Sequence, residues 1–431
     1  MSEPPPTHRL PGLVRKDHTF DLPLDPARPD GETIPVFARE VVAPGKEGDD
    51  LPWLVFLQGG PGFPSPRPPA GASWLPRALE EFRVLLLDPR GTGRSGRIDA
   101  RSLARFTPEE QAARLAHYRA DAIVADCEAI RRRLAGGAPW TALGQSYGGF
   151  VIAHYLSAAP EGLAGALVTG GLPPLAFHAS DVYRRTMVRC REKNEAYRAR
   201  YPDDAARVRE IVAHLAENDV ALPSGGVLSP RRFQQLGLVL GMSDGFETIH
   251  DHVEDAWVDG PDGPELGFHF LHAIDHALPF TANPIYAILH ESIYAEGTRT
   301  RWAAHRIREE FPEFDPARTD GPILFTGEWV EPWTFDDVAP LRPLKEAAER
   351  LAAKGDWPDL YDVERLRRND VPVAAAVYHD DMYVDRDFSL ETARTIRGTR
   401  VWITNEHEHN GLRADGRNVL DRLLKLLRGE A

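Results

Sequence analysis

Residues 144–149 read GQSYGG, set between the apolar runs WTAL (140–143) and FVIAHYL (150–156). The pattern G-x-S-x-G places a serine, here Ser146, on a sharp turn from strand to helix, so that its hydroxyl projects above a sheet as a nucleophile. The glycines are a steric requirement: a side chain at Gly144 or Gly148 would collide where the helix begins almost on top of the strand end. A serine hydroxyl is a poor nucleophile at neutral pH, so a histidine must take its proton and a carboxylate must orient that histidine. Both are offered further along the chain, acid before base. VPVAAAVY (371–378) runs into HDDMYVD (379–385), and TRVWIT (399–404) runs into NEHEHNG (405–411).

Within each cluster several residues compete. Asp380, Asp381 and Asp385 are candidates for the acid; Asp381 is preferred because it sits a few residues beyond the strand-like run, where such an acid turns inward. His407 and His409 are candidates for the base; His409 is preferred because it precedes Asn410-Gly411, a turn that lets its ring swing toward the serine. His407 and Glu408 read as solvated loop. Acyl transfer also needs donors for the developing oxyanion, usually the amide after the nucleophile and one from a glycine-rich loop after an early strand. QGGPG (58–62) follows the apolar run LPWLVFL (51–57) directly, so the amides of Tyr147 and Gly60 are the candidates.

Other signals fail on context. GTGRSG (91–96) satisfies G-x-G-x-x-G, but Pro89 and Arg90 separate it from the strand-like FRVLLLD (82–88), no helix opens on the glycines, and dinucleotide binding is set aside. Arg90 and Arg94 of that stretch are expected in structural ion pairs. HDD (379–381) and HEH (407–409) lack metal-site spacing, and LAGGAPW (134–140) lacks the ending of a phosphate loop. No metal or organic cofactor is expected.

The elements that must position these residues are legible as short apolar runs. LPWLVFL, FRVLLLD, WTALG (140–144) and GALVTG (165–170) are strand length and continuous rather than alternating, which suits a parallel sheet covered on both faces. Helical patterns lie between them, notably at 108–134 and 150–159, and the repeated order argues for an α/β fold with a mostly parallel sheet. After about residue 172 the texture becomes charged and aromatic at helical spacing, as in 181–201, and reads as a mainly helical insertion. Strand-like runs return at PILFTG (322–327), VPVAAAVY and TRVWIT, followed by a closing helix at 417–429. The expected division is a discontinuous core, 30–172 and 365–431, a cap at 173–364, and a loose lead-in at 1–29.

Composition limits the function classes. The chain has 431 residues, 42% hydrophobic and 27% charged, as in ordinary globular proteins. Its formal charge of −14 carries no basic block, so nucleic acid is not an expected partner. No run of about 18 apolar residues is present and the start, MSEPPPTHRLPG, lacks a signal peptide's apolar core; neither membrane insertion nor export is expected, and a cytoplasmic location is. Cys127 and Cys190 read as small core residues rather than a disulfide.

GGPG, DPRGTGRS, GQSYGG, DDMYVD and EHEHNGLR together resemble the proline iminopeptidase (prolyl aminopeptidase) family of α/β-hydrolases, from about residue 35 to the C-terminus. The resemblance implies an α/β-hydrolase fold and release of N-terminal proline from small peptides with a free N-terminus. It also implies Ser146 as nucleophile, Asp381 as acid and His409 as base. Gln58 and Pro89 depart from the family's usual His and Gln, which bears on the pocket rather than on the reaction class. The insertion resembles the family's cap, in which a carboxylate holds the substrate's ammonium group. Glu291 in LHESIYAEG stands in a similar place to the family's glutamate; Glu328 and Glu254 are weaker candidates, and Trp329, Trp333 and Tyr294 are candidates for the wall of a proline pocket. Rival readings are an esterase or amidase on the same scaffold, or a catalytically silent binding protein; haloalkane or epoxide chemistry would need an aspartate at the elbow. Oligomeric state is left open.

Overall fold

The computed structural model describes residues 6–68 and 73–430. In chain order the strands are β1 (Thr7–Leu10), β2 (Leu13–Pro23), β3 (Thr33–Val42), β4 (Trp53–Leu57), β5 (Arg83–Leu87), β6 (Trp140–Gln145), β7 (Leu163–Thr169), β8 (Trp257–Gly260), β9 (Gly263–Leu266), β10 (Val373–Tyr378) and β11 (Thr399–Thr404). Nine of them form one sheet in the order β1-β2-β3-β5-β4-β6-β7-β10-β11, while β8 and β9 pair separately as a hairpin. The α/β class and the mostly parallel sheet expected from the apolar runs are present: β5 through β11 of that order run parallel, and β1, β2 and β3 are antiparallel.

Alternate residues of the central strands feed two separate cores, which is why their sequences are apolar without a break. Leu54, Phe56, Val84 and Leu86 face Leu420, Leu423 and Leu424 of the closing helix Gly416–Arg428. Val55, Leu57, Leu85 and Leu87 face the other way, into a core with Ile123 and Ile130 of helix Ala120–Leu134 and Val151 and Tyr155 of helix Tyr147–Ala158. Each such side chain, fully buried, contributes about 1.5–3 kcal/mol. This double cover fixes the sheet as the rigid element from which the site is hung.

Three expectations need correction. Residues 7–23, read as part of a loose lead-in, form β1 and β2, with Phe20 and Leu22 buried; residues 1–5 lie outside the described residues. The helical pattern at 108–134 is two helices, Pro108–Leu115 and Ala120–Leu134. Their break turns Arg119 inward, where its guanidinium donates to the carbonyls of Ser292 and Ala295. PILFTG joins no sheet, because side chains satisfy its backbone: Asn194 brackets Phe325, accepting from its N–H and donating to its carbonyl, and Gln234 donates to the Leu324 carbonyl.

Between β7 and β10 the chain adds no strand to the large sheet. That stretch is mainly helical, led by Ala179–Arg200 and Asp204–Glu217. It carries a small apolar cluster of its own around Tyr183, Met187, Phe314 and Trp329, and also extends the larger core through Phe233, Phe270 and Ile288. Among the described residues no helix is long and apolar enough to cross a membrane.

Candidate active site

Ser146 follows β6 immediately and precedes helix Tyr147–Ala158, with φ 52° and ψ −125°, a left-handed value that a residue with a Cβ rarely adopts. The glycines around it make this turn possible. A Cβ on Gly144 would stand 2.5 Å from the Gly148 carbonyl, and one on Gly148 would stand 2.0 Å from the Leu57 carbonyl. Gly149 is constrained as well, its Cβ position lying 2.3 Å from the Gly171 carbonyl, a requirement the motif alone does not state. The turn is pinned by Ser146 N–H donating to the Thr169 carbonyl at 2.9 Å.

The acid and base clusters resolve by geometry. Asp381, 1% exposed, accepts from the backbone N–H groups of Tyr383 (2.8 Å) and Val384 (3.0 Å) through one oxygen and stands 2.7 Å from His409 Nδ1 through the other. Asp380 is exposed and pairs with His379, whereas Asp385 caps the helix Arg386–Thr395 and pairs with Arg189. His407, read as solvated, is instead half-buried, packs edge-on against Tyr378 and Trp402, and makes no hydrogen bond to Asp381 among the described residues. Burial would lower the His409 pKa, but the charge of Asp381 and the hydrogen bond to it outweigh this and raise it above the ordinary histidine value. Glu408, read as solvated, is instead half-buried and paired with Lys193 at 2.5 Å.

Ser146 and His409 line one cavity of about 380 Å³, together with Gln58, Gly60 and Glu328. Ser146 Oγ makes no hydrogen bond among the described residues; in unliganded enzymes such contacts commonly close only when substrate arrives. Gly60, at φ +126°, lies in the loop after β4, and its neighbour Gly59 approaches so closely that a Cβ there would be 3.0 Å from Ser146 Cβ. Tyr147 N–H is the first of its helix, a position with no intrahelical acceptor. Gly60 thus shares the cavity lining with Ser146, and Tyr147 follows the serine directly in the chain.

The two glutamates expected in amine recognition occupy different places. Glu291 is 6% exposed and does not line the cavity; its Oε1 accepts from Ala304 N–H at 2.9 Å, at the start of helix Ala303–Arg308, and burial raises its pKa. Glu328 is the carboxylate in the cavity wall. It accepts from the Tyr286 hydroxyl, and its nearest cationic candidate is His290, whose Nε2 is 4.0 Å away and whose pKa burial lowers, so the ring stays neutral near pH 7. Among the described residues no Lys or Arg pairs with Glu328. Glu254 is exposed on the surface. Trp329, Trp333 and Tyr294 lie outside the cavity lining, Trp329 within the small cap cluster and Trp333 under Arg231. The aromatic wall is made instead by Phe56, Phe63, Trp74, Tyr286 and Tyr383, which sequence reasoning missed; Phe63 and Tyr383 carry a signal in standing within two residues of GGPG and Asp381.

The remaining side chains singled out are structural. Arg90 is buried against Asp126 and Arg94 pairs with Asp17; Cys127 and Cys190 are buried free thiols. Among the described residues no group of three or more His, Cys, Asp or Glu is placed to hold a metal ion.

Comparison with known proteins follows the same lines. A family model described as the alpha/beta hydrolase fold matches residues 52–213. The chain is 48% identical to a proline iminopeptidase from Aeromonas sobria over 97% of this chain and 98% of that one. It is 36% identical to proline iminopeptidase aneH from Aspergillus aculeatus, over 97% of this chain and 95% of that one. A solved 2-hydroxy-6-oxo-6-phenylhexa-2,4-dienoate hydrolase from Rhodococcus sp. strain RHA1 superposes with a TM-score of 0.43 at 15% identity, covering 96% of this chain and 99% of that one.

Proposed function

Because the chain belongs to the proline iminopeptidase family of α/β-hydrolases, we propose that it is a serine aminopeptidase that releases an N-terminal residue, preferentially proline, from small peptides. Ser146 Oγ attacks the carbonyl of that residue while His409 Nε2 takes the hydroxyl proton. Asp381, on the opposite ring nitrogen, holds the tautomer and stabilises the imidazolium that forms. The oxyanion receives the N–H groups of Gly60 and Tyr147. Collapse of the tetrahedral species expels the remaining peptide as an amine, protonated by His409. A water deprotonated by the same ring then attacks the acyl-enzyme, freeing the amino acid and Ser146.

The observation that carries this reading is the Glu328 carboxylate, unpaired with any Lys or Arg among the described residues, in the same cavity as Ser146 and His409. An anion left uncompensated in a cavity favours a cationic ligand, and a charged pair excludes internal peptide bonds, which lack the charge. The substrate ammonium sits against Glu328, and Gln58 Oε1, buried without a partner among the described residues, is a second acceptor in the wall. Residues 173–364 supply Glu328 and serve as the cap; β1 to residue 172 and 365–431 form the hydrolase core. Two buried free thiols suit a reducing compartment, and a cytoplasmic site of action is part of the proposal.

Prolyl and alanyl arylamides with free and acetylated amines test the proposal. Cleavage confined to free amines, with proline preferred, is the expected result; equal cleavage of the acetylated compounds would replace the peptidase by a general amidase.

A further inference from the structure

Residues 238–243, LVLGMS, serve two parts of the molecule at once. Leu238, Val239 and Met242 line the cavity. The same segment is gripped by both loops that carry the acid and the base. From the acid loop, the Tyr383 hydroxyl donates to the Leu238 carbonyl, and the Tyr383 ring packs so closely on Gly241 that a Cβ there would stand 2.3 Å from it. From the base loop, His409 N–H donates to the Gly241 carbonyl at 3.2 Å. Next to it, Asn410 and Ser243 bond reciprocally: Ser243 N–H donates to Asn410 Oδ1 at 3.0 Å, and Asn410 Nδ2 donates to Ser243 Oγ at 3.0 Å. Tyr383 closes the circuit, its own N–H on Asp381 and its ring centroid 4.6 Å from that of His409.

We propose that residues 238–243 are a strap that positions the His409 ring between Asp381 and Ser146, with Ser243, Asn410 and Tyr383 as its positioning residues. The inference rests on the acyl-transfer reading of Ser146. Its physical basis is the steepness of catalysis with geometry: a misplacement of about 1 Å costs about 100-fold in rate. His409 stands on a loop that β11 anchors only at its start, so its ring needs a second support. The strap supplies this at three points. Because the strap is also cavity wall, an occupant pressing on Leu238 or Met242 bears on the segment that fixes the base.

The test follows the full-length protein through two reactions that need no amine recognition: phosphonylation of Ser146 by a fluorophosphonate, and hydrolysis of an uncharged short-chain ester. Ser243→Ala and Asn410→Ala are each expected to slow phosphonylation and lower ester kcat by about 10- to 100-fold, with KM changed by less than about threefold, the signature of lost transition-state alignment. The double variant is expected to be no slower than the slower single variant, since both remove one clamp. Ser243→Thr, which keeps the hydroxyl and the amide, restores the rate. Wild-type phosphonylation rates in both alanine variants, multiplying losses in the double, or failure of threonine to rescue would each overturn the strap. If Asn410→Ala does not fold, Ser243→Ala and Ser243→Thr decide alone. A wild-type protein that reacts with fluorophosphonate but spares prolyl arylamides would defeat the peptidase and leave the strap standing; cleavage of prolyl arylamides with unaffected alanine variants would do the reverse.

Discussion

The carboxyl edge of the sheet and the wall of the cap meet at one cavity but are built by opposite means. At the sheet edge, backbone does the positioning: Ser146 follows β6 directly, Asp381 stands on the turn after β10 with two amides on one oxygen, and His409 follows β11, the parallel neighbour of β10. In the cap Glu328, the carboxylate proposed to meet the substrate ammonium, belongs to no helix or strand, and another side chain holds it, the hydroxyl of Tyr286, 42 residues away in sequence. A turn after a strand is fixed by the covered sheet beneath it. A carboxylate held by one hydroxyl is set by a local pairing that substitution can change without disturbing the fold. The reaction is therefore tied to the fold and the selectivity is not, so variants at the sheet edge should slow every substrate and variants in the cap should sort substrates by charge.

The largest effect tests the first half of that contrast. Ser146→Ala should abolish fluorophosphonate labelling and lower kcat on the order of 10⁶-fold for arylamide and ester alike. Survival of ester hydrolysis in this variant would separate the two activities and break the comparison. Asp381→Asn should cost about 10⁴-fold, again without regard to substrate, because the ring loses its anionic partner and its tautomer. It should also move the pH profile. Activity requires neutral His409, whose pKa is raised chiefly by Asp381 against the lowering due to burial, so the wild-type acid limb should lie above the ordinary histidine value and shift to lower pH in the variant. The same raised pKa contributes folding stability that is full below the unfolded histidine value and is lost as pH rises through the folded one.

Glu328→Gln sharpens the second half. Removing the anion while keeping the shape should reduce kcat/KM for prolyl arylamides on the order of 10²-fold, within the range for a desolvated charge pair losing one partner, and leave the uncharged ester within about twofold. Parallel losses on both substrates would place Glu328 in the chemistry and erase the distinction between the two regions.

The same contrast explains what could be read in advance. The serine turn, the order of acid and base, and the strands beneath them were legible because steric and periodic constraints write themselves into GQSYGG and into unbroken apolar runs. β2 is obscured by the prolines ahead of it, although Phe20 and Leu22 alternate with the polar Thr19 and Asp21 as a one-sided strand should. PILFTG carries a strand's composition, yet Asn194 and Gln234 supply hydrogen bonds that a sheet would otherwise provide. The choice between the two cap glutamates is hidden in the sequence for a related reason. Nothing local distinguishes Glu291, which caps a helix, from Glu328, which faces the cavity, because the difference lies in partners distant along the chain.

Glu291→Gln is the smallest expected effect and the finest test of that distinction. Glu291 is buried, bonded to Ala304 N–H, and outside the cavity lining, so the variant should keep kcat/KM for prolyl arylamides within about twofold. Its signature is in stability. Burial raises the Glu291 pKa in the folded protein, so the folded state binds the proton more tightly and its stability falls as pH rises from the unfolded glutamate value through the folded one. Glutamine cannot ionise and escapes that loss. The Tm of the variant relative to wild type should therefore become more favourable as pH rises from the ordinary glutamate value through the raised value that burial gives Glu291 in the folded protein. A Tm difference that does not change with pH would show that Glu291 does not ionise at the cost of folding stability. A collapse of activity confined to free-amine substrates would return Glu291 to the site, since a side chain that only caps a helix has no means of telling an ammonium from an amide.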